Sequence, residues 1–163
     1  MKYLSLTFIL LISLFISCKT ETKKPANNDR AANLSPLPPS IITQLNNTCT
    51  AIDILPLRKE MNASLSFSKD QSQALQYIIS FISDEKGALL GSCTPDGHIV
   101  FQENGEINYE ADIYFSGGCS VFVWNKGGKI SHVNKIKPEG IEFFKNFLKP
   151  ISREKMESMS QPQ

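Results

Sequence analysis

Cys119 and His132 are the residues of this sequence whose types could together supply a nucleophile and its base. A catalytic cysteine acts as a thiolate, which forms where a helix N-terminus, a nearby cation or a histidine lowers the pKa of the thiol. Cys119 instead precedes the β-type run Val121-Phe122-Val123-Trp124, and a strand inside a sheet provides no such environment by default. A cysteine hydrolase using Cys119 and His132 is therefore the alternative hypothesis for this chain, and not the favoured one.

The order of Gly118-Cys119-Ser120 and the later His132 is similar to that of peptidoglycan-cleaving cysteine peptidases. In that family the cysteine opens a helix and the histidine lies much further along the chain. Here the cysteine opens a strand-like run, and only twelve residues separate it from His132. Both the local structure and the spacing thus depart from the family's pattern.

Metal and cofactor chemistry has little support. The two histidines, His98 and His132, belong to no close histidine or cysteine cluster of zinc-site spacing. The sequence has no glycine-rich phosphate loop between a strand and a helix, no Gly-x-Ser-x-Gly elbow and no dinucleotide fingerprint. We therefore expect no metal and no cofactor. Because the formal net charge is +1, we also expect no nucleic acid partner.

The four cysteines divide into Cys18, near the N-terminus, and three further along the chain. In an oxidising compartment the odd number formed by Cys49, Cys93 and Cys119 leaves one of them unpaired. The strand order predicted below places Cys93 and Cys119 at the same rim of a sheet. We predict a Cys93–Cys119 disulfide with Cys49 left over; pairing of Cys49 with either of the others is the competing arrangement.

Acidic residues concentrate in the middle of the chain. Residues 84–112 contain seven acids and one base, a net charge of −6, and residues 126–155 contain eight bases and three acids, a net charge of +5. Glu110, Asp112 and Tyr114 share one face of a predicted strand. Together with Trp124 of the following strand, they form a candidate binding face for an envelope protein, because polar recognition surfaces often combine carboxylates with aromatic rings. An ordinary solvated face, balanced by the basic segment, is the alternative.

The N-terminus carries the pattern of an export signal. Lys2 precedes an apolar run from Leu4 to Ile16 that only three hydroxyl residues interrupt. A helix of that length rises roughly 20 Å, which is short of the ~30 Å hydrocarbon core of a bilayer. We therefore predict a removable signal peptide and not a permanent membrane span.

The run ends in Phe15-Ile16-Ser17-Cys18, which resembles the lipobox of bacterial lipoproteins. In that family a small residue precedes a cysteine that is acylated and becomes the new N-terminus. Ser17 and Cys18 match these positions, whereas Phe15 stands where leucine is usual. The resemblance implies lipidation of Cys18 and attachment to the membrane through the N-terminal lipid, since each buried methylene adds ~0.8 kcal/mol. Lys19, in place of the aspartate that retains such proteins in the inner membrane, favours the outer membrane.

These signals predict four segments. Residues 1–17 would be the removed signal peptide, residues 18–40 the lipidated cysteine and a flexible linker rich in proline and asparagine, residues 41–150 a single domain, and residues 151–163 a polar tail. About 110 residues are enough for one hydrophobic core.

The domain is predicted to be α+β. A capping-box pattern at 68–71, followed by apolar residues at helical spacing, predicts a helix at about 69–84. Residues 50–55 look extended, and residues 61–67 alternate in the manner of a half-buried strand. Turn signals then predict an antiparallel five-strand meander at about 87–134, with strands at about 87–93, 98–102, 107–115, 119–125 and 129–134. A helix at about 138–149 would cover one face of the sheet.

The sequence as a whole predicts a membrane-anchored lipoprotein of the cell envelope. We expect the folded domain to act as a non-catalytic binding or accessory module.

Overall fold

The computed structural model describes residues 34–61 and 64–148. Within these residues the chain forms three α-helices and one seven-stranded antiparallel sheet, an α+β architecture as predicted. The helices are α1 (Pro39–Thr48), α2 (Ser72–Ile79) and α3 (Pro138–Phe147). The strands are β1 (Ala51–Pro56), β2 (Leu65–Ser68), β3 (Ile82–Lys86), β4 (Gly97–Glu103), β5 (Glu106–Tyr114), β6 (Val121–Lys126) and β7 (Lys129–Ile136).

The strands lie in the order β2-β1-β4-β5-β6-β7-β3. β4 to β7 form a meander, because two-residue turns join β4 to β5 and β6 to β7, and the short segment 115–120 joins β5 to β6. In the first of these turns Asn104 and Gly105 both have positive φ, 53° and 88°, as a two-residue hairpin turn requires. These four strands correspond to four of the five predicted ones, and β1 and β2 extend the sheet beyond β4.

The strand predicted at about 87–93 is instead a loop, and this prediction was wrong. The strand lies earlier, at β3, and pairs with β7 at the far edge of the sheet instead of with β4. The amide of Gly87 donates to the carbonyl of Val133 at 3.0 Å, after which the chain leaves the sheet. The loop 87–96 then crosses to the start of β4.

The helix predicted at about 69–84 is shorter in the structure. Residues 69–71 form a 3₁₀ turn, where Gln71 Oε1 accepts a hydrogen bond from the Ser68 amide at 3.3 Å, and α2 ends at Ile79. Phe81 and Ile82 continue the apolar pattern, but both are buried in the core at the start of β3. The carbonyl of Phe81 also accepts a hydrogen bond from the Lys137 amide at 2.9 Å.

The main hydrophobic core lies between the helices and one face of the sheet. The strand residues that contribute to it include Ile52, Ile54, Ile99, Phe101, Ala111, Ile113, Phe122 and Trp124. On the opposite face, the loop 87–96 and Leu34 cover a smaller cluster formed by Tyr114, Cys119, Val121, Val123 and Val133. The remainder of that opposite face, on β1, β4 and β5, carries partly exposed polar side chains; we call it the open face.

Residues 34–40 belong to the folded domain, which therefore begins earlier than the predicted position 41. The carbonyl of Ser35 accepts a hydrogen bond from the Val133 amide at 3.1 Å, and Leu37 is buried in the main core. The linker predicted for 18–40 thus extends too far at its C-terminal end. The predicted signal peptide, Cys18, the rest of the linker and the tail 151–163 lie outside the described residues.

Candidate functional site

The open face brings His98 together with two carboxylates. His98 of β4 and Asp112 of β5 are directly opposite each other in the strand register, and Asp112 Oδ1 lies 2.8 Å from His98 Nδ1. Glu110, two residues away on the same face of β5, places Oε2 3.6 Å from His98 Nε2. Both ring nitrogens therefore face a carboxylate.

This arrangement favours the protonated form of the histidine. The hydrogen bond that His98 donates to Asp112 raises the pKa of His98 above its usual value, and the charges of Asp112 and Glu110 act in the same direction. Partial burial lowers the pKa; it is the second-largest effect, after the hydrogen bond to Asp112. The other oxygen of Asp112 accepts a hydrogen bond from Asn125 Nδ2 at 3.3 Å, so three adjacent strands hold this carboxylate.

A third carboxylate, Asp53 of β1, lies on the same face. It is the cross-strand partner of Val100, which is in turn the partner of Glu110. Asp53 accepts hydrogen bonds from the side chains of Ser66, at 2.6 Å, and Gln102. We call the group Asp53, His98, Glu110 and Asp112 the carboxylate face.

Two exposed leucines lie at one end of the carboxylate face, at the end of β1 and just after it. Leu55, the cross-strand partner of His98, is 44% exposed, and Leu57 is 49% exposed. A positively charged, amphipathic partner can contact such a surface with its cationic side chains at the carboxylates and its apolar side chains at the leucines.

The two aromatic residues predicted for the binding face are not accessible on it. Tyr114 lies on the correct face but is only 8% exposed, and burial, together with the charges of Asp112 and Asp96, raises the pKa of its hydroxyl. Trp124 lies on the opposite face, beside Ala111, and is 1% exposed in the main core. The inclusion of Trp124 in the binding face is therefore corrected, whereas Glu110 and Asp112 do lie together.

Sequence analysis missed His98 as a member of this group. His98 belongs to no close cluster of metal-binding residues in the sequence, and its distance along the chain from Asp112 gives no sign of contact. The tight Asn104-Gly105 turn sets the pairing of Glu103 with Glu106, and without a bulge this register would place His98 opposite Ala111. The extra residue Asn108 in β5 shifts the register by one and brings His98 opposite Asp112. The turn alone would therefore have given the wrong partner for His98.

The predicted disulfide between Cys93 and Cys119 is present, with the two Cα atoms 6.3 Å apart. Its geometric basis differs from the prediction, because Cys93 lies in the loop 87–96 and not at the end of a strand. Cys49 is the free cysteine of the described residues. Burial raises the pKa of its thiol, which donates a hydrogen bond to the carbonyl of Ala51 at 3.3 Å.

The cysteine–histidine unit considered for a hydrolase is not assembled. Cys119 is 2% exposed and its sulfur is bonded to Cys93. His132 of β7 is the cross-strand partner of Trp124 of β6. Trp124 lies five residues after Cys119, which corresponds to roughly 16 Å along an extended chain, so His132 is far from the sulfur of Cys119. His132 contacts the hydroxyl of Ser131 at 3.1 Å instead.

Within residues 34–61 and 64–148, no group of three or more histidine, cysteine or acidic side chains has an arrangement that could hold a metal ion. No helix in these ranges has both the length and the apolar character to cross a membrane.

Comparison of the chain with protein-family models, with curated proteins and with solved structures gives no significant match.

Proposed function

We propose that this protein is a lipid-anchored, non-catalytic binding module of the cell envelope, and that the carboxylate face is its recognition surface. The observation that carries this proposal is the position of Glu110, which stands beside the paired His98 and Asp112 with 39% of its side chain exposed. It leaves a carboxylate accessible at the centre of a face that has two exposed leucines at one end.

The bonding of the polar groups supports binding over catalysis. His98 is engaged by Asp112 and Glu110, and no hydrogen bond in the described part of the chain joins it to a serine, threonine or cysteine. A histidine that activates a side-chain nucleophile needs such a contact. His132 does lie 3.1 Å from the Ser131 hydroxyl, but the two residues are neighbours in sequence and this hydroxyl already donates to the carbonyl of Trp124. The sulfur of Cys119, the nucleophile of the alternative hypothesis, is already in a disulfide.

The charge of the surface indicates the chemistry of the partner. Asp53, Glu110 and Asp112 give the carboxylate face three acidic groups, against which only His98 can carry a positive charge. We therefore expect a protein segment that combines lysine or arginine side chains with apolar ones. Ion pairs between these lysine or arginine side chains and the accessible carboxylates would increase the rate of association and the specificity of binding more than the affinity.

The lipobox resemblance supports the anchor. The chain from Cys18 to Leu34 reaches at most roughly 55 Å when fully extended, so the domain would work close to the membrane surface. Lys19 favours the outer membrane as the location.

Labelling with palmitate tests the anchor. We expect the wild-type chain to incorporate the label and to fractionate with membranes, and the variant Cys18→Ala to lose both properties. A Cys49→Ala variant is the matched control and should retain both. Membrane association that does not depend on Cys18 would overturn the anchor.

Site-specific photo-crosslinking in intact envelopes tests the recognition surface. A photo-reactive amino acid at Leu55, beside the carboxylate face, should capture a partner. The same amino acid at Glu142 of α3, on the helical side of the sheet, is the control and should not capture it. The Leu55 product should disappear in the Glu110→Lys variant and should weaken with added salt. Equal capture at both positions, or capture unaffected by Glu110→Lys, would contradict the assignment of this surface, whatever the outcome of palmitate labelling.

A further inference from the structure

A cleft of about 430 Å³ lies at the other end of the sheet from the disulfide, between the start of α1 and the ends of β5, β6 and β7. Its lining consists of Leu37, Pro38, Ile41, Asn108, Tyr109, Asn125, Lys126, Ser131 and His132. This volume falls within the range of pockets that bind small molecules, roughly 300–1,000 Å³.

Two β-bulges occur at this cleft. Between β4 and β5, Phe101 pairs with Tyr109 and Gln102 pairs with Ile107, so Asn108 is an extra residue in β5. A bulge re-aims a side chain and interrupts the strict alternation of a strand, and bulges are common beside binding sites.

The second bulge lies between β6 and β7. Trp124 pairs with His132 and Asn125 pairs with Ile130, so Ser131 is an extra residue in β7. The extra residues of both bulges, Asn108 and Ser131, line the same cleft. Two separate irregularities of the meander therefore converge on one place.

The hydrogen bonds of Ser131 define the role of His132. The hydroxyl of Ser131 donates to the carbonyl of Trp124 at 3.2 Å, and its oxygen lies 3.1 Å from His132 Nδ1. Because this hydroxyl already donates to Trp124, its oxygen can accept from Nδ1 in the tautomer that carries the hydrogen there. Nε2 is the ring nitrogen that remains for another partner.

The lining has an apolar side and a cationic side. The exposed Pro38 and the half-buried Ile41 supply the accessible apolar groups, since Leu37 is only 3% exposed, and Lys126 and His132 supply the groups that can carry positive charge. No aspartate or glutamate is among the lining residues. Two carboxylates lie next to the lining, where the side-chain amide of Asn108 donates to Glu103 at 2.9 Å and that of Asn125 donates to Asp112 at 3.3 Å. A ligand that matches both sides has an anionic head and an apolar body.

We propose that this cleft binds a small anionic amphiphile, a carboxylate with an aliphatic body, whose head group contacts Lys126 and His132 and whose body contacts Pro38 and Ile41. The site is separate from the carboxylate face and does not depend on its proposed function. Asn125 contributes to both, since it lines the cleft and donates to Asp112.

Trp124 provides the measurement, because it is the only tryptophan of the chain and the cross-strand partner of His132. The full chain, carrying Cys18→Ser to prevent lipidation, is titrated with decanoate and its tryptophan fluorescence is recorded. Decan-1-ol and decyltrimethylammonium serve as uncharged and cationic analogues of the same length. We expect a saturable change with decanoate, and binding weaker by about tenfold or more for each analogue, the size of effect that corresponds to one favourable charged contact.

Two variants of the β6–β7 hairpin make a matched pair. Lys126 lines the cleft, whereas its cross-strand partner Lys129 does not, and both are exposed. Lys126→Glu should weaken decanoate binding about tenfold, and Lys129→Glu should change it less than about twofold. Ile41→Phe, which reduces the apolar space, should also weaken binding, and thermal unfolding of each variant shows that it is folded. Similar binding of all three amphiphiles, equal effects of the two lysine variants, or no saturable change would overturn the proposal.

Discussion

The backbone amide of Leu37 donates a hydrogen bond to Oδ1 of Asn134, which lies 2.8 Å away and 97 residues further along the chain. The same oxygen accepts from Trp124 Nε1 at 2.8 Å, and Nδ2 of Asn134 donates to the carbonyl of Ser83 at 2.8 Å. Asn134 is fully buried. One side-chain amide therefore joins the N-terminal segment, the edge strand β3 and the only tryptophan to the centre of the molecule.

We predict that Asn134→Ala destabilises the protein by about 3 kcal/mol or more. The substitution leaves two buried donors and one acceptor without a partner, and each unsatisfied group costs roughly 1–3 kcal/mol. Urea unfolding followed by the fluorescence of Trp124 measures the change. Asn46→Ala is the control, because Asn46 is exposed on α1 and its side chain bonds only to the carbonyl of Ile42; it should cost less than about 0.5 kcal/mol. A loss of stability for Asn134→Ala as small as that expected for Asn46→Ala would show that the three hydrogen bonds of the buried amide contribute little to the stability of the fold.

The Cys93–Cys119 disulfide should contribute about 3 kcal/mol to the free energy of unfolding. It closes a loop with a sequence separation of 26 residues, and cross-links of this size restrict the unfolded chain by roughly that amount. The double variant Cys93→Ser, Cys119→Ser should show the loss in urea unfolding, and a reducing agent should produce it in the wild type. Cys49→Ser keeps the bridge, so in each condition, with or without reductant, it should unfold at nearly the same urea concentration as the wild type. Equal stability of the wild type in both conditions would contradict a structural role for the bridge.

The contact between His98 and Asp112 should stabilise the protein more at low pH than at high pH. The folded-state pKa of His98 is raised, so the folded state binds the proton more tightly than the unfolded state. The resulting stabilisation is fully present below the unfolded pKa and is lost as the pH rises through the folded pKa. Compared with wild type, His98→Gln should therefore lose more stability at about pH 5 than at about pH 9, by up to about 1 kcal/mol.

Asp112→Asn separates this mechanism from a general effect of the carboxylate face. Removing the carboxylate should lower the pKa of His98 in an NMR titration and should abolish most of the pH-dependent difference. Asp53→Asn is the matched control, since Asp53 lies on the same face but bonds to Ser66 and Gln102. If Asp53→Asn shifts the His98 pKa as much as Asp112→Asn does, the direct contact is not its cause.

The accuracy of sequence prediction depended on how local each signal was. The meander β4 to β7 was predicted because turn residues such as Asn104 and Gly105 act within a few positions. The edge strand β3 was missed because its pairing with β7 joins residues about fifty positions apart, as in Ile82 with Ile136. Nothing in the local pattern around Ile82 distinguishes this strand from a continuing helix.

The candidate site shows the same limit. Glu110 and Asp112 were predicted correctly to share a face because alternation along one strand determines that relationship. The face of Trp124 depends on its register against β5, where it lies beside the buried Ala111. His98 likewise joined the site only through its register with Asp112. Relationships within one strand were therefore predictable, whereas those between strands required the fold.

Gly140 of α3 provides a test of how tightly the helical layer contacts the core. A Cβ atom at this position would lie 2.7 Å from both Cβ and Cγ of Phe81 and 2.9 Å from Cγ2 of Ile136. Replacing a helical glycine by alanine normally stabilises a helix by about 1 kcal/mol, but the close contact here should reverse the sign. We expect Gly140→Ala to destabilise the protein by about 1–3 kcal/mol, as overpacked cores do. The exposed neighbour Glu139 supplies the control in urea unfolding, because Glu139→Ala changes the same turn of the helix without meeting Phe81. A more stable Gly140→Ala variant would mean that α3 can move away from Phe81 at little cost, and that the helical layer is held less closely than these distances indicate.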